Sequence, residues 1–445
     1  MPRPEGTYHF PKGFLWGTAT AAHQVEGQNT NNNWYAWENQ PGHILEGQKA
    51  GLACDWWGGR WKEDFDRAAE TGQNAHRMSI EWSRIQPTPD RWDEDALDYY
   101  RQMLRGLVDR NITPMVTLHH FTDPLWLGEM DGWENDRAPE LFARFVRKAV
   151  DALKEYTNLW ITVNEPNVYV YAGYIKAGGF PPGKNSLKLL GKALANLVRG
   201  HAAAYHVIHE LQPEARVGTS IHYRSFKPYR SWIPMDHWLA RMLARNSNDS
   251  FVQTTVDGRM PFMLGTMRIP EAIGTQDFVG VNYYSRDLIS FDLTMPSQLF
   301  ARRQYAREDE LSPTGFIANV PAGMYESLAW ARCFNLPIMV TENGVEDPDD
   351  QLRPRYTVEH LHQVWKAACN SFQVKGYFHW SLVDNFEWER GWTQRFGLWG
   401  LDTATQARIR RPSVDLYEAI CKANAISSEM VEQWAPAAYD TLFPV

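Results

Sequence analysis

Residues 159–170 read LWITVNEPNVYV. Leu159–Val163 form a short run of the kind buried in a parallel sheet, and the chain then places an amide, a carboxylate and a proline at its end: Asn164, Glu165 and Pro166. Burying a charge is expensive, so a carboxylate that closes an apolar strand needs a reason. One glutamate after one strand is ordinary loop chemistry. A second segment, NLPIMVTENGVED (335–347), repeats the arrangement, with Thr341, Glu342, Asn343 and Gly344 behind a buried run. Pro166 biases Glu165 toward an extended backbone, and Gly344 offers a sharp turn two residues past Glu342.

Working outward, the same unit of apolar run and longer helical pattern recurs along the chain. FLWGT (14–18) precedes a helix over 57–70, AHRMSI (75–80) one over 94–110, and TPMVTLHH (113–120) one over 138–156. LWITV precedes 187–211, ARVGTSIHY (215–223) precedes 232–245, and DFVGVNYY (277–284) precedes 322–334. LPIMVTE (336–342) precedes 357–374, and GYFHWSL (376–382) precedes 414–423. Eight alternating units predict an α/β fold, a single (β/α)8 TIM barrel over residues 1–445. An open doubly wound sheet would carry a Gly-rich phosphate turn after its first strand, where this chain has ATAAHQVEG. The long connections 19–56 and 285–321 then become βα loops at the C-terminal face, where such barrels build their sites.

Composition narrows the function. With 445 residues, 44% of them hydrophobic, the chain can bury a large core. Its net charge of -8 and the absence of a basic run argue against a nucleic-acid partner. No run of eighteen apolar residues is present, so no membrane span is expected. The N-terminal MPRPEGTYHFPKG has no apolar stretch of the secretory kind. The four cysteines (Cys54, Cys333, Cys369, Cys421) are far apart, and together these features predict a reduced cytoplasmic protein. The chain carries 20 Trp, 19 Tyr and 20 Phe, rings that fill cores and also pack against the apolar face of a sugar.

In the barrel the strand ends converge: Gln24, Arg77, His120, Asn164 with Glu165, Tyr284, Glu342 and Trp380. Two carboxylates in one pocket are what glycosidic cleavage requires, an acid for the leaving oxygen and a carboxylate facing the anomeric carbon. The segments FLWGTATAAHQVEG, HRMSIEWSR, VTLHHFTDP, TVNEPN, VGVNYYS, VTENG and HWSLVDNFEWERGWTQRFGLWGLD span nearly the full chain, and in this order they resemble the β-glucosidases of glycoside hydrolase family 1. The resemblance implies a retaining β-glycosidase acting on terminal β-D-glucosyl residues, with some tolerance for β-galactosides or β-fucosides, whose substrates are small β-glycosides or short β-linked oligosaccharides. It implies Glu342 as nucleophile and Glu165 as general acid/base, with Arg77, Tyr284 and Asn282 supporting the nucleophile. Gln24, His120, Asn164, Glu387 and Trp388 would grip the sugar hydroxyls, with Trp380 beneath the ring. Physical chemistry agrees: Arg77 would keep Glu342 ionised, and that charge would keep Glu165 protonated.

The match has two departures. SPTGFIANVPAGM (312–324) places Phe316 where the family has a tryptophan, on the leaving-group side, and HHFTDP places Phe121 where a tryptophan is commoner. A 6-phospho-β-glycosidase would need cationic groups near the 6-position, where this chain has Glu387, and a non-catalytic sugar binder would lack one of the carboxylates. His119 and His120 have no carboxylate at ligand spacing, so no metal and no cofactor is expected. His206, His209 and Glu210 read as one helix face, and the acidic run 346–350 as a solvated loop.

Overall fold

The computed structural model describes residues 4–175, 179–263 and 265–444. Each predicted run forms a strand: β1 (Leu15–Ala19), β2 (Ala75–Ser79), β3 (Thr113–His119), β4 (Leu159–Asn164), β5 (Arg216–His222), β6 (Phe278–Asn282), β7 (Ile338–Asn343) and β8 (Val374–Trp380). Neighbours in sequence are parallel neighbours in space, and pairing of β8 with β1 closes the ring. The strands are buried on both faces, so their sequences read as continuous apolar runs rather than alternations.

The outer helices are α1 (Trp61–Glu70), α2 (Glu94–Val108), α3 (Ala138–Leu153), α4 (Leu187–Leu211), α5 (Ser250–Asp257), α6 (Pro321–Arg332), α7 (Arg353–Cys369) and α8 (Pro412–Ala423). Helix α3 shows why they form. Leu141, Phe142, Phe145, Val146, Ala149, Val150 and Leu153 make one buried stripe at helical spacing, and Pro139 sits in the first turn, where its missing N–H costs nothing. Asp93 caps α2 by accepting from Ala96 N at 3.0 Å. A short antiparallel pair, 7–9 with 425–427, ties the two ends of the chain together.

Three expectations change. The helix expected over 232–245 forms at 234–244 but does not cover the barrel. Its Leu239, Ala240 and Leu243 pack with Phe226, Ile289 and Ala301 in a separate small core, under a three-stranded sheet (225–228, 286–291, 301–304) made by the βα loops. Helix α5 takes the place against the main core, with Phe251 and Val252 buried there. The acidic run 346–350 is not a solvated loop. Glu346 and Asp347 are fully buried, and Asp347 Oδ2 accepts from the backbone N–H groups of Leu352 and Arg353 at 2.6 and 2.9 Å, satisfying orphan donors at the start of α7. Gly344, finally, is needed for clearance rather than for a turn. Its φ lies outside the left-handed region, but a Cβ there would sit 2.0 Å from the carbonyl oxygen of Trp380.

Gly344→Ala therefore forces the end of β7 away from the end of β8. We expect a loss of about 2–3 kcal/mol in urea unfolding and a drop in turnover larger than that loss of folded protein explains, checked by kcat on the folded fraction.

Candidate active site

The polar strand ends meet at the C-terminal mouth of the barrel around a cavity of about 510 Å³. His120, Asn164, Glu165, Tyr284, Glu342, Trp380, Glu387 and Trp388 line it directly. Behind this layer the fully buried Arg77 reaches across from β2 and donates to Glu342 Oε1 at 2.5 Å, to Asn164 Oδ1 at 2.6 Å and to the Thr341 carbonyl at 3.1 Å. Its Nε donates to Thr117 Oγ1 at 3.2 Å. The Tyr284 hydroxyl donates to the other oxygen of Glu342 at 2.6 Å.

Asn282, expected to support Glu342, pairs with it along the β6–β7 ladder. Its amide nonetheless serves the other acid, donating to Glu165 Oε1 at 2.8 Å and to Asn164 Oδ1 at 3.1 Å, while Thr341 Oγ1 donates to Asn282 Oδ1 at 2.6 Å. The carboxyls of Glu165 and Glu342 are thus the two ends of one chain of hydrogen bonds running through Asn282, Asn164 and Arg77. Glu165 departs from the extended backbone expected before a proline. It takes the left-handed conformation, φ 43° and ψ 55°, at the start of a helix over 166–174. Its N–H donates to Ser220 O at 2.7 Å, and its carbonyl accepts from Val168 and Tyr169, both at 3.0 Å. A strained non-glycine residue persists where its surroundings hold it this firmly.

Hydrogen bonding also decides the state of His120. Arg77 holds Asn164 Oδ1, so Asn164 Nδ2 points at His120 Nε2, 3.1 Å away. Burial, then the charge of Arg77, lowers the pKa of His120 well below the usual imidazole range. The ring is neutral, accepts at Nε2 and carries its proton on Nδ1, which is buried without a partner among the described residues. Gln24 Nε2 donates to Glu387 Oε2 at 3.2 Å and to Phe386 O at 2.8 Å, and Gln24 Oε1 is likewise buried and unpartnered. The rings of Trp380 and Trp388 lie near parallel to that of His120, at 6.1 and 5.9 Å. His119 turns the other way and meets Asp123 Oδ1 at 3.0 Å, so the adjacent histidines share no site. His209 pairs with Asp277 at 2.9 Å on the protein's flank.

Sequence reasoning passed over His222. It closes β5 as the other residues close their strands, and its Nδ1 lies 3.4 Å from Glu165 Oε1. Burial pushes Glu342 up, to about 7, against Arg77. Burial also pushes Glu165 up, but His222 and Asn282 pull it below the usual carboxyl range. The partners of the two acids differ in kind: Glu342 meets the permanent guanidinium of Arg77 and the phenol of Tyr284, and Glu165 meets the amide of Asn282 and the imidazole of His222.

The comparison with known proteins bears on this geometry. The model of glycosyl hydrolase family 1 matches residues 7–426. The chain belongs to that family. It is 32% identical to β-glucosidase A of Thermotoga maritima, over 94% of this chain and 98% of that protein. It is 31% identical to a β-galactosidase of Sulfolobus acidocaldarius, over 95% of this chain and 96% of that protein. The structure superposes on a β-glycosidase from Pyrococcus horikoshii with a TM-score of 0.89 and 33% identity, covering 96% of this chain and 98% of that one. The family-1 chain is therefore a glycosidase enzyme of the retaining type on the (β/α)8 barrel. No helix of the described residues is long and apolar enough to cross a membrane.

Burial raises Glu387 to about 8, with Glu389 and Glu342 adding to the rise. A carboxyl whose folded value lies above its ordinary 4.5 contributes stability that is present below the ordinary value and lost as pH rises toward the folded value. Glu387→Gln removes that loss. We expect the variant to gain about 1–3 kcal/mol on the parent between pH 5 and pH 8.5, read from urea unfolding at the two pH values, while its affinity for sugar falls.

Proposed function

We propose that the whole chain forms one catalytic unit, a β-glucosidase in which Glu342 is the nucleophile and Glu165 the general acid/base. The observation that carries the assignment is the asymmetry of their partners. Glu342 is gripped by a permanent cation and a phenol, which suit an anion, whereas Glu165 is held by an amide and an imidazole, groups that serve a carboxyl which gains and loses a proton.

In the first step a Glu342 oxygen attacks the anomeric carbon, the glycosidic C–O bond breaks, and the Glu165 proton passes to the leaving oxygen. The glycosyl ester on Glu342 carries no charge, so Glu165 is now the anion. It takes a proton from water as that water attacks the same carbon, and Glu342 leaves with its charge restored. Two inversions retain the β configuration. Asn164, locked by Arg77 and beside the acid, is suited to the sugar 2-hydroxyl, whose contact strengthens in the transition state. Gln24, His120, Glu387 and Trp388 bind the remaining hydroxyls over Trp380. The buried unpartnered Gln24 Oε1 and His120 Nδ1 support this, since such atoms are costly unless a ligand supplies their bonds. The β-glucosidase and β-galactosidase names of the relatives support a glucoside preference with tolerance for galactosides. We read the protein as cytoplasmic, in keeping with its four unpaired thiols.

Two experiments test the roles. Glu342→Gly should lose at least about 10³-fold in kcat and recover with azide to give an α-glycosyl azide. Glu165→Ala should fail mainly on poor leaving groups and give a β-glycosyl azide. Exchange of the two outcomes reverses the assignment.

The carboxyl of Glu387, its pKa raised to about 8 by burial, suits neutral hydroxyls and offers a phosphate at the 6-position no counter-charge, and a buried anion without a partner is costly. The kcat/KM for a 6-phospho-β-glucoside should fall at least about 10²-fold below that of the neutral glucoside. Equal values would return the phospho-specific reading to first place.

A further inference from the structure

Beyond the two carboxylates the cavity opens into an outer one, also of about 510 Å³. Arg224, Arg303, Tyr305, Phe316 and Arg390 line both, and Asp287 lines the outer one. On the function proposed above, the terminal sugar fills the inner end, so its leaving group projects into this vestibule.

The charges there do not balance. Three arginines face one aspartate in the outer cavity, on a chain whose net charge is -8. Arg224 and Arg303 share Asp287, at 2.6 and 3.6 Å. Arg390 has Glu389 3.9 Å away, beyond hydrogen-bond reach. Among the described residues neither the Arg303 nor the Arg390 guanidinium donates a hydrogen bond to the protein. Each instead has its guanidinium carbon over a ring, Arg303 4.6 Å from the Tyr171 centroid and Arg390 5.0 Å from the Phe316 centroid. A cation held against a ring by its charge leaves its N–H donors free for another partner, and a guanidinium offers a carboxylate two of them at once. Phe316, which stands where the family has a tryptophan, thus serves as the platform for Arg390.

The geometry points to a leaving-group site selective for flat, apolar leaving groups that carry a carboxylate. The ring walls take the flat body, and the free donors of Arg303 and Arg390 take the acid.

The test compares two substrates that share one ring system and differ by a carboxylate, the β-glucosides of 4-methyl-7-hydroxycoumarin and of 7-hydroxycoumarin-4-acetic acid. At low ionic strength the acid should be favoured by about fivefold or more in kcat/KM, and the preference should shrink toward unity in about 0.5 M NaCl as the charges are screened. Arg303→Gln and Arg390→Gln should each lower the ratio, and Arg303→Lys should retain part of it. The salt titration on the unaltered protein keeps the test decisive if a variant folds poorly. A ratio at or below one in the unaltered protein, or one indifferent to both salt and substitution, would overturn the proposal. Failure to cleave the neutral coumarin glucoside would instead overturn the β-glucosidase reading on which it rests.

Discussion

The guanidinium of Arg77 is buried at the centre of the barrel mouth, and a bare cation there would be prohibitively costly. Its donors are spent on Glu342, Asn164, the Thr341 carbonyl and Thr117, which come from three different strands, β7, β4 and β3. That one planar fork fixes the rotamer of Glu342, the amide orientation of Asn164 and, through Asn164, the tautomer of His120. Removing it would leave a buried carboxylate without its counter-charge and an amide free to flip. The catalytic arrangement and the local stability of the mouth are therefore the same network.

The cavity handles charge by compartments. At the sugar end the groups are neutral or close to it: a neutral His120, two indoles, the amides of Gln24 and Asn164, and a Glu387 whose proton is held by burial. In the middle, one negative charge is shared by two carboxyls and stabilised by Arg77. Toward solvent the arginines dominate. A neutral sugar with a partly charged leaving group follows that gradient, and it does so on a protein whose overall charge has the opposite sign to its vestibule.

Most of the frame was legible because local rules and the global fold agree. The eight apolar runs and their helices are short-range patterns, and β4 and β7 were recognisable by the carboxylates at their ends. The elements that were misplaced share a cause. Helix 234–244 has a convincing apolar stripe, but periodicity does not say which of two cores a stripe covers. The run 346–350 looked solvated because its acids were read alone, whereas their partners are backbone donors of α7 and the hydroxyls of Ser312 and Thr314. His222 closes a strand like the other site residues, yet its segment offered no carboxylate or motif to single it out.

By itself the sequence determined the strand order, the residues at each strand end and the chemistry those residue types can perform, since all of these follow from period, composition and motif. Tertiary structure alone decided who bonds whom. It sent the Asn282 amide to Glu165 rather than Glu342, put Glu165 in a left-handed conformation, required a glycine at 344 because Trp380 O lies 2.0 Å from where a Cβ would be, and set Arg303 and Arg390 over rings far from them in sequence. Those outcomes depend on distances between strands and loops that only closure of the barrel creates, and no local pattern encodes a distance of that kind.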